Sequence, residues 1–189
     1  MSDESRPRAV LDADILYSRV LHELLGRVAV QLRLLDLFWS EQLLTETQRS
    51  LIEKKGLPAE SAGRWVEYLR RSFPAGRVAI ERAELPDLTS LTRDPGDNHI
   101  CALALAAKAD YLFTHDRGYL RDALSRYGVR VTAPDDFLAA AFDADPRGLL
   151  GRLELQASTW AGGRPIERLI DTIERAGAPV FAGKVRAHL

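Results

Sequence analysis

The sequence predicts an α/β fold built on a mainly parallel sheet, with a helical extension after it. Three observations point there. Short apolar segments alternate with amphipathic helical segments over residues 8–142, the pattern of strand–helix–strand units. The first of them, Arg8–Asp12 (Arg-Ala-Val-Leu-Asp), has a short apolar centre that closes on a carboxylate, as a buried parallel strand does. Residues 143–189 show helical spacing and no strand pattern. With 189 residues, 46% of them hydrophobic and 28% charged, the chain can bury one sizeable core and carry a small appendage.

The elements follow in order. Leu16 to Leu35 has helical spacing, and Leu37–Trp39 reads as a brief strand. Ser40 is a good N-cap for a helix whose apolar stripe is Leu43, Leu44, Leu51 and Ile52, stopped near Gly56-Leu57-Pro58. Ala59–Phe73 is a second amphipathic helix, closed by Pro74 and Gly76, and Val78–Ile80 is a candidate strand. Asp94-Pro95-Gly96-Asp97 is turn chemistry leading into an alanine-rich helix over Asn98–Ala109. Tyr111–Thr114 reads as a buried strand, Arg117–Tyr127 as a helix ended by Gly128, Val129–Thr132 as a strand, and Ala133-Pro134 opens a helix through Phe142. In the tail, Asp145-Pro146 and Gly162-Gly163 interrupt the chain, while Ile166, Leu169, Ile170 and Ile173 predict a helix to about Gly177. The expected division is a core domain over 1–142 and a helical C-terminal extension over 143–189.

Composition excludes several classes. The apolar run around Cys101–Ala107 is far too short for a membrane span. Met1–Pro7 is polar, so no secretory leader is expected. The single Cys101 rules out an internal disulfide framework and a multi-cysteine zinc site, and a cytoplasmic location is expected. A net charge of −1 argues against a globally basic nucleic-acid binder but not against a local basic surface. The basic residues are skewed: Lys54, Lys55, Lys108 and Lys184 are lysines, and the other 22 are arginines, whose planar guanidinium groups suit phosphate.

Four acids stand out by position. Asp12 ends the first strand, Glu46 lies about one and a half turns into the Ser40-capped helix, Asp97 opens the alanine-rich helix, and Asp116 follows the strand Tyr111–Thr114. In an open parallel sheet, functional groups gather outside the carboxyl ends of the strands, at the switch point. Carboxylates brought together there raise one another's pKa, and a divalent cation resolves the repulsion. Oxygen ligands without cysteine suit Mg²⁺ or Mn²⁺. Such an ion keeps waters, can turn one into a nucleophile, and neutralises charge on a phosphate. A set of acids without histidine ligands therefore points to phosphoester hydrolysis.

The ordered motifs resemble those of PIN domains. Val-Leu-Asp-Ala-Asp-Ile-Leu-Tyr (10–17) resembles the opening motif, Ser40 with Glu46 the second, Asp94-Pro-Gly-Asp-Asn-His-Ile-Cys-Ala-Leu-Ala (94–104) the third, and Tyr-Leu-Phe-Thr-His-Asp (111–116) the fourth. Ala-Pro-Asp-Asp-Phe-Leu (133–138) is similar to the family's closing strand-to-helix step. The resemblance covers about residues 8–142. It implies a three-layer α/β/α nuclease domain of the VapC toxin type, a dimeric endoribonuclease silenced by an antitoxin. Asp12, Glu46, Asp97 and Asp116 would then be the catalytic acids that hold Mg²⁺ (or Mn²⁺), with RNA as substrate. The chain departs from the pattern at Asp14, where many relatives carry asparagine, and at Arg117-Gly118, where a further acid or asparagine often stands. The helical tail lies outside the PIN core and is similar to an extension in a subset of VapC-like proteins.

Other residues have plainer expectations. His99 and His115 flank two of the acids and read as partly exposed polar residues, and Cys101 as a core residue. Trp39, Trp65 and Trp160 read as packing residues, Ser18 and Ser40 as caps. Arg93, Arg117 and Arg121 either steer phosphates or face solvent. Two other functions compete. A haloacid dehalogenase-type phosphatase would use Asp12 as nucleophile with Asp14 beside it, but leaves Glu46 without a purpose. A catalytically silent PIN-like binding module would act through the tail.

Overall fold

The structure is a computed structural model, and it describes residues 6–80, 83–160, 163 and 165–189. The start of Met1–Pro7 and Gly162 of the Gly162-Gly163 pair lie outside the described residues. The chain divides into two compact units, one formed by 1–17 and 35–132, the other by 18–34 and 133–189.

The first unit holds a four-stranded parallel sheet. Its strands are β1 (Arg8–Leu11), β2 (Asp36–Phe38), β3 (Tyr111–Phe113) and β4 (Arg130–Thr132), in the order β2-β1-β3-β4. The strand order reverses between β1 and β3, so the crevice beyond their carboxyl ends is the switch point where such sheets bind ligands. Leu11 pairs with Phe113, which sets Asp12 and Thr114 side by side just past the strand ends. The sheet is buried by Val10, Leu112 and Phe113, and by Leu43, Leu44, Ile100 and Leu103 of the helices, each fully buried or nearly so. Each such side chain stabilises the fold by about 1.5–3 kcal/mol.

The helices of this unit are α1 (Ala13–Leu16), α3 (Glu41–Glu53), α4 (Ala59–Ser72), α5 (Asn98–Ala106) and α6 (Arg121–Ser125). α2 (Arg19–Val30) belongs to the second unit. The helix predicted over Leu16–Leu35 is therefore broken, because Ser18 adopts an extended backbone between α1 and α2. Ser40 caps α3 as expected, its hydroxyl accepting the Leu43 N–H at 3.2 Å, and Gly56 turns the chain at φ +65°.

Three local expectations are corrected. Val78–Ile80 forms no strand. The chain bridges to Trp39 at Arg77, just before this stretch, where Gly76 crosses so close to the Leu37 carbonyl that a Cβ there would collide with it. The helix predicted over Arg117–Tyr127 shrinks to Arg121–Ser125, since Thr114 and Asp116 side chains take the Asp116 and Gly118 N–H groups and hold 114–118 as a loop. The alanine-rich helix ends at Ala106, before the left-handed turn at Lys108 (φ +49°).

The second unit is helical: α2 with α7 (Pro134–Ala144), α8 (Pro146–Thr159), α9 (Ile166–Arg175) and α10 (Pro179–Arg186). Asp145 caps α8 by accepting the Gly148 N–H at 2.9 Å. Leu21, Leu24, Leu25, Phe142, Leu149, Leu153, Leu169, Ile170, Ile173 and Phe181 are fully buried. The Gln156 side chain, fully buried, donates to the Val20 carbonyl at 3.2 Å and ties α8 to α2. The tail is thus helical, as the sequence predicts, with α8 and α10 added to the helix foreseen at 166–177.

Candidate functional site

Asp12 stands at the end of β1 because its backbone N–H still reaches the Phe113 carbonyl at 3.0 Å. Its side chain is 7% exposed. Oδ1 accepts the Ala13 N–H at 2.6 Å, and Oδ2 accepts two hydroxyls, Thr114 Oγ1 and Tyr119 Oη, each at 2.8 Å. Burial pushes the carboxyl up to about 6, and the Asp14 charge adds to this; the hydroxyl and backbone donors oppose the rise without cancelling it.

Asp97 closes a 3₁₀ turn over Pro95–Asp97 and leads into α5. Asp94 starts that turn by accepting the Gly96 N–H at 2.8 Å. Partial burial lifts the Asp97 carboxyl to about 6, reinforced by the charges of Asp12, Asp94, Asp116 and Glu46. Asp97 thus lies within range of the charges of Asp12, Glu46 and Asp116, and of Asp94 as well.

Asp116 lies in the loop after β3, where its N–H donates to Thr114 Oγ1 at 2.9 Å and its Oδ1 accepts the Gly118 N–H at 2.5 Å. Gly118 fits between two of the acids: a Cβ there would stand 3.0 Å from Asp116 Oδ1 and 3.8 Å from Asp97 Oδ2. Glu46 reaches in from α3 and pairs with His99, Oε2 to Nε2 at 2.9 Å. His99 Nδ1 lies 2.7 Å from the Gly96 carbonyl. Burial pulls the His99 imidazole down, but Glu46 and the Gly96 carbonyl outweigh it and the net shift is upward.

The two histidines are thus bound into the acid network. His115 donates its backbone N–H to Asp14 Oδ2 at 2.8 Å, and its ring Nδ1 is 3.3 Å from the same oxygen. Cys101 is buried below the crevice, and burial with the Asp97 and Asp12 charges pushes its thiol up to about 12, so it stays protonated.

Sequence reasoning missed Thr114, Tyr119, Asp94 and the His99–Glu46 pair. Thr114 was within reach, since strand pairing of β1 with β3 places it beside Asp12. Nothing in the local pattern around Tyr119 announces that it returns to Asp12, 107 residues away in sequence.

Among the described residues no group of three or more His, Cys, Asp or Glu side chains is assembled closely enough to hold a metal ion as it stands. The donor set nevertheless suits a hard dication. It consists of carboxylate oxygens, two of its members are raised to about 6 by burial and then by neighbouring carboxylate charges, and Asp14 Oδ1 is buried without a hydrogen-bond partner.

Compared with known protein families, the chain matches the PIN domain over residues 8–118, more than half its length. It belongs to the PIN domain family. No curated protein and no solved structure matches it. PIN domains are in general nucleases that act on RNA and typically use divalent metals. The matched segment of this PIN domain contains all four acids together with Asp14, Asp94, His99 and Thr114, and it ends at Gly118. The match leaves the phosphatase alternative without support. Among the described residues no helix is long and apolar enough to cross a membrane.

Proposed function

We propose that this PIN domain protein is a metal-dependent endoribonuclease, the toxin of a type II toxin–antitoxin pair. In this reading Asp12, Glu46, Asp97 and Asp116 hold Mg²⁺ or Mn²⁺. The protein works in the cytoplasm as a homodimer and is silenced by a cognate antitoxin protein. The observation that carries the catalytic part is geometric: Asp116 Oδ1 and Asp97 Oδ2 both border Gly118 in the loop after β3, while Asp12 stands at the end of the adjacent β1.

A dication bound there would supply a Lewis acid for the phosphate and acidify a water for in-line attack. The chain's own residues do the rest. Thr114 and Tyr119 lock Asp12 Oδ2 in one orientation, His99 holds Glu46, and Gly118 leaves the space between Asp97 and Asp116 clear. A carboxylate of this set takes a proton from the attacking water as its oxygen bonds to phosphorus, while the bond to the leaving ribose oxygen breaks and that oxygen takes up a proton from solvent.

The test is cleavage of RNA by the purified chain in Mn²⁺. Chelation abolishes it, and so do Asp12→Asn and Asp97→Asn with the circular-dichroism spectrum intact. Undiminished cleavage by both variants overturns the assignment. The toxin role is tested by expression in bacteria, where wild type arrests growth and Asp12→Asn does not.

A further inference from the structure

Beside the acid crevice the surface changes sign. Arg93, Arg117, Arg121 and Arg126, with Tyr119 and Leu120, line a cleft of about 850 Å³. A second hollow of about 320 Å³ continues along α6, shares Arg121 and Asp122 with the first, and adds Arg130. From Arg117 to Arg130 the sequence sets four arginines against one acid, Asp122, in a chain whose net charge is −1.

These five arginines are exposed, and among the described residues none forms an ion pair with a carboxylate. Arg33, Arg49, Arg147, Arg168 and Arg175 are likewise exposed and form no ion pair among the described residues, but they line neither hollow. The arginines of α4, in contrast, are neutralised. Arg64 pairs with Glu60, Arg71 with Glu67, and Arg70 with both Glu41 and Glu67. Guanidinium groups without a carboxylate partner, gathered around two adjoining hollows, raise the local concentration of anions, and their planar forks match phosphate oxygens.

The hollow opens from the acid crevice through shared residues. Tyr119 forms part of its wall while its hydroxyl donates to Asp12. Arg93 donates its backbone N–H to the Gly118 carbonyl at 2.9 Å, next to Asp116. The acids and the arginine-lined hollow therefore adjoin at Tyr119 and at Gly118. Tyr127, next in sequence to Arg126, is 50% exposed.

We propose that this arginine trough along α6 binds single-stranded RNA next to the scissile phosphate. The proposal rests on the nuclease reading of the acid crevice. A track of exposed guanidinium groups suits a single strand, whose backbone bends to follow it.

The experiment measures binding of a fluorescently labelled single-stranded RNA oligonucleotide to the full chain by anisotropy, in chelator so that nothing is cut, across a series of salt concentrations. The double variant Arg121→Gln/Arg126→Gln is expected to bind about tenfold more weakly. Its plot of log affinity against log salt should be shallower by about 1.4, at about 0.7 per lost phosphate contact. Arg64→Gln, which removes a paired arginine from α4, should change neither. Unchanged binding by the double variant overturns the proposal, and so does an equal loss from Arg64→Gln. A polyglutamate peptide that binds wild type more tightly than RNA does, and loses this in the double variant, assigns the trough to an acidic protein partner instead and overturns it too. A parallel cleavage assay in Mn²⁺ separates the two readings. Cleavage without arginine-dependent binding sinks the trough and keeps the nuclease; arginine-dependent binding without cleavage does the reverse.

Discussion

The Tyr119 hydroxyl donates to Asp12 Oδ2 at 2.8 Å from a side chain only 3% exposed. Burial holds that phenol firmly protonated, with the Asp12 charge reinforcing the effect, so it acts as a fixed donor. Tyr119→Phe keeps the ring and removes the donor. A hydrogen bond to a charged group is worth about 1.5–3 kcal/mol, and Asp12 then ionises with less help. Outer contacts of this kind typically change metal affinity or activity by about 10–100-fold. Mn²⁺ affinity by titration calorimetry and RNA cleavage should both fall within that range while the protein remains folded. Unaltered Mn²⁺ affinity would show that the contact only packs.

A second expectation concerns pH. The folded-state value for Asp12, about 6, lies above its ordinary 3.8. The folded state thus keeps a proton that the unfolded chain releases first. Stability is fully present below about pH 4, falls as pH rises through the window up to about 6, and then levels off. For Asp12 alone the drop is on the order of 3 kcal/mol. Asp97 works in the same direction, but its partial exposure reduces its share. Denaturant melts of the metal-free protein at pH 4 and pH 7 should therefore show wild type losing stability relative to Asp12→Asn. Parallel pH profiles for the two proteins would contradict the buried, repelled state of this carboxyl.

Much of this was legible in the sequence, for identifiable reasons. Arg8–Leu11 and Tyr111–Phe113 are short, apolar and closed by polar residues, so both strands could be read off. Ser40 and the Asp94–Asp97 turn carry their own side-chain hydrogen bonds, so their helices start where predicted. The sequence predicts helix from Arg117, but residues 117–120 stay in the loop after β3. What holds it open is a chain of contacts to distant places: Thr114 to Asp12, the Arg93 N–H to the Gly118 carbonyl, and the Leu120 N–H to the Leu91 carbonyl at 2.8 Å. Tyr119 was invisible for the same reason. Position on strand ends is local information; which hydroxyl completes a buried carboxylate is decided by tertiary approach.

Gly118 provides a steric test of the crevice. Its φ is not positive, so alanine is tolerated by the backbone. The added Cβ would press on Asp116 Oδ1 at 3.0 Å and touch Asp97 Oδ2 at 3.8 Å. The Asp116 carboxylate must then move by a few tenths of an ångström and loses its place beside the Gly118 N–H. Gly118→Ala should change stability by less than about 1 kcal/mol, as for an ordinary surface substitution, yet lower RNA cleavage by about 10–100-fold through misplacement. Full activity in this variant would mean that Asp116 does not work from the position it holds here.

In the helical unit the decisive polar group is Asp135, 8% exposed on α7. Its two oxygens accept the N–H groups of Val180 at 3.0 Å and Phe181 at 2.8 Å, at the start of α10. Those N–H groups have no partner inside their own helix, and Pro179 before them has no N–H at all. The same contact seats Phe181, fully buried, edge-on against Phe142 with ring centroids 5.9 Å apart. Asp135→Ala strands two donors and removes a negative charge from a helix N-terminus, at a cost of about 2–3 kcal/mol. Thermal unfolding should shift down accordingly, and amide exchange should quicken first in Pro179–Arg186. Asp135→Asn keeps one acceptor oxygen and should recover about half the loss. If alanine and asparagine behave alike, the carboxylate is not what anchors the last helix.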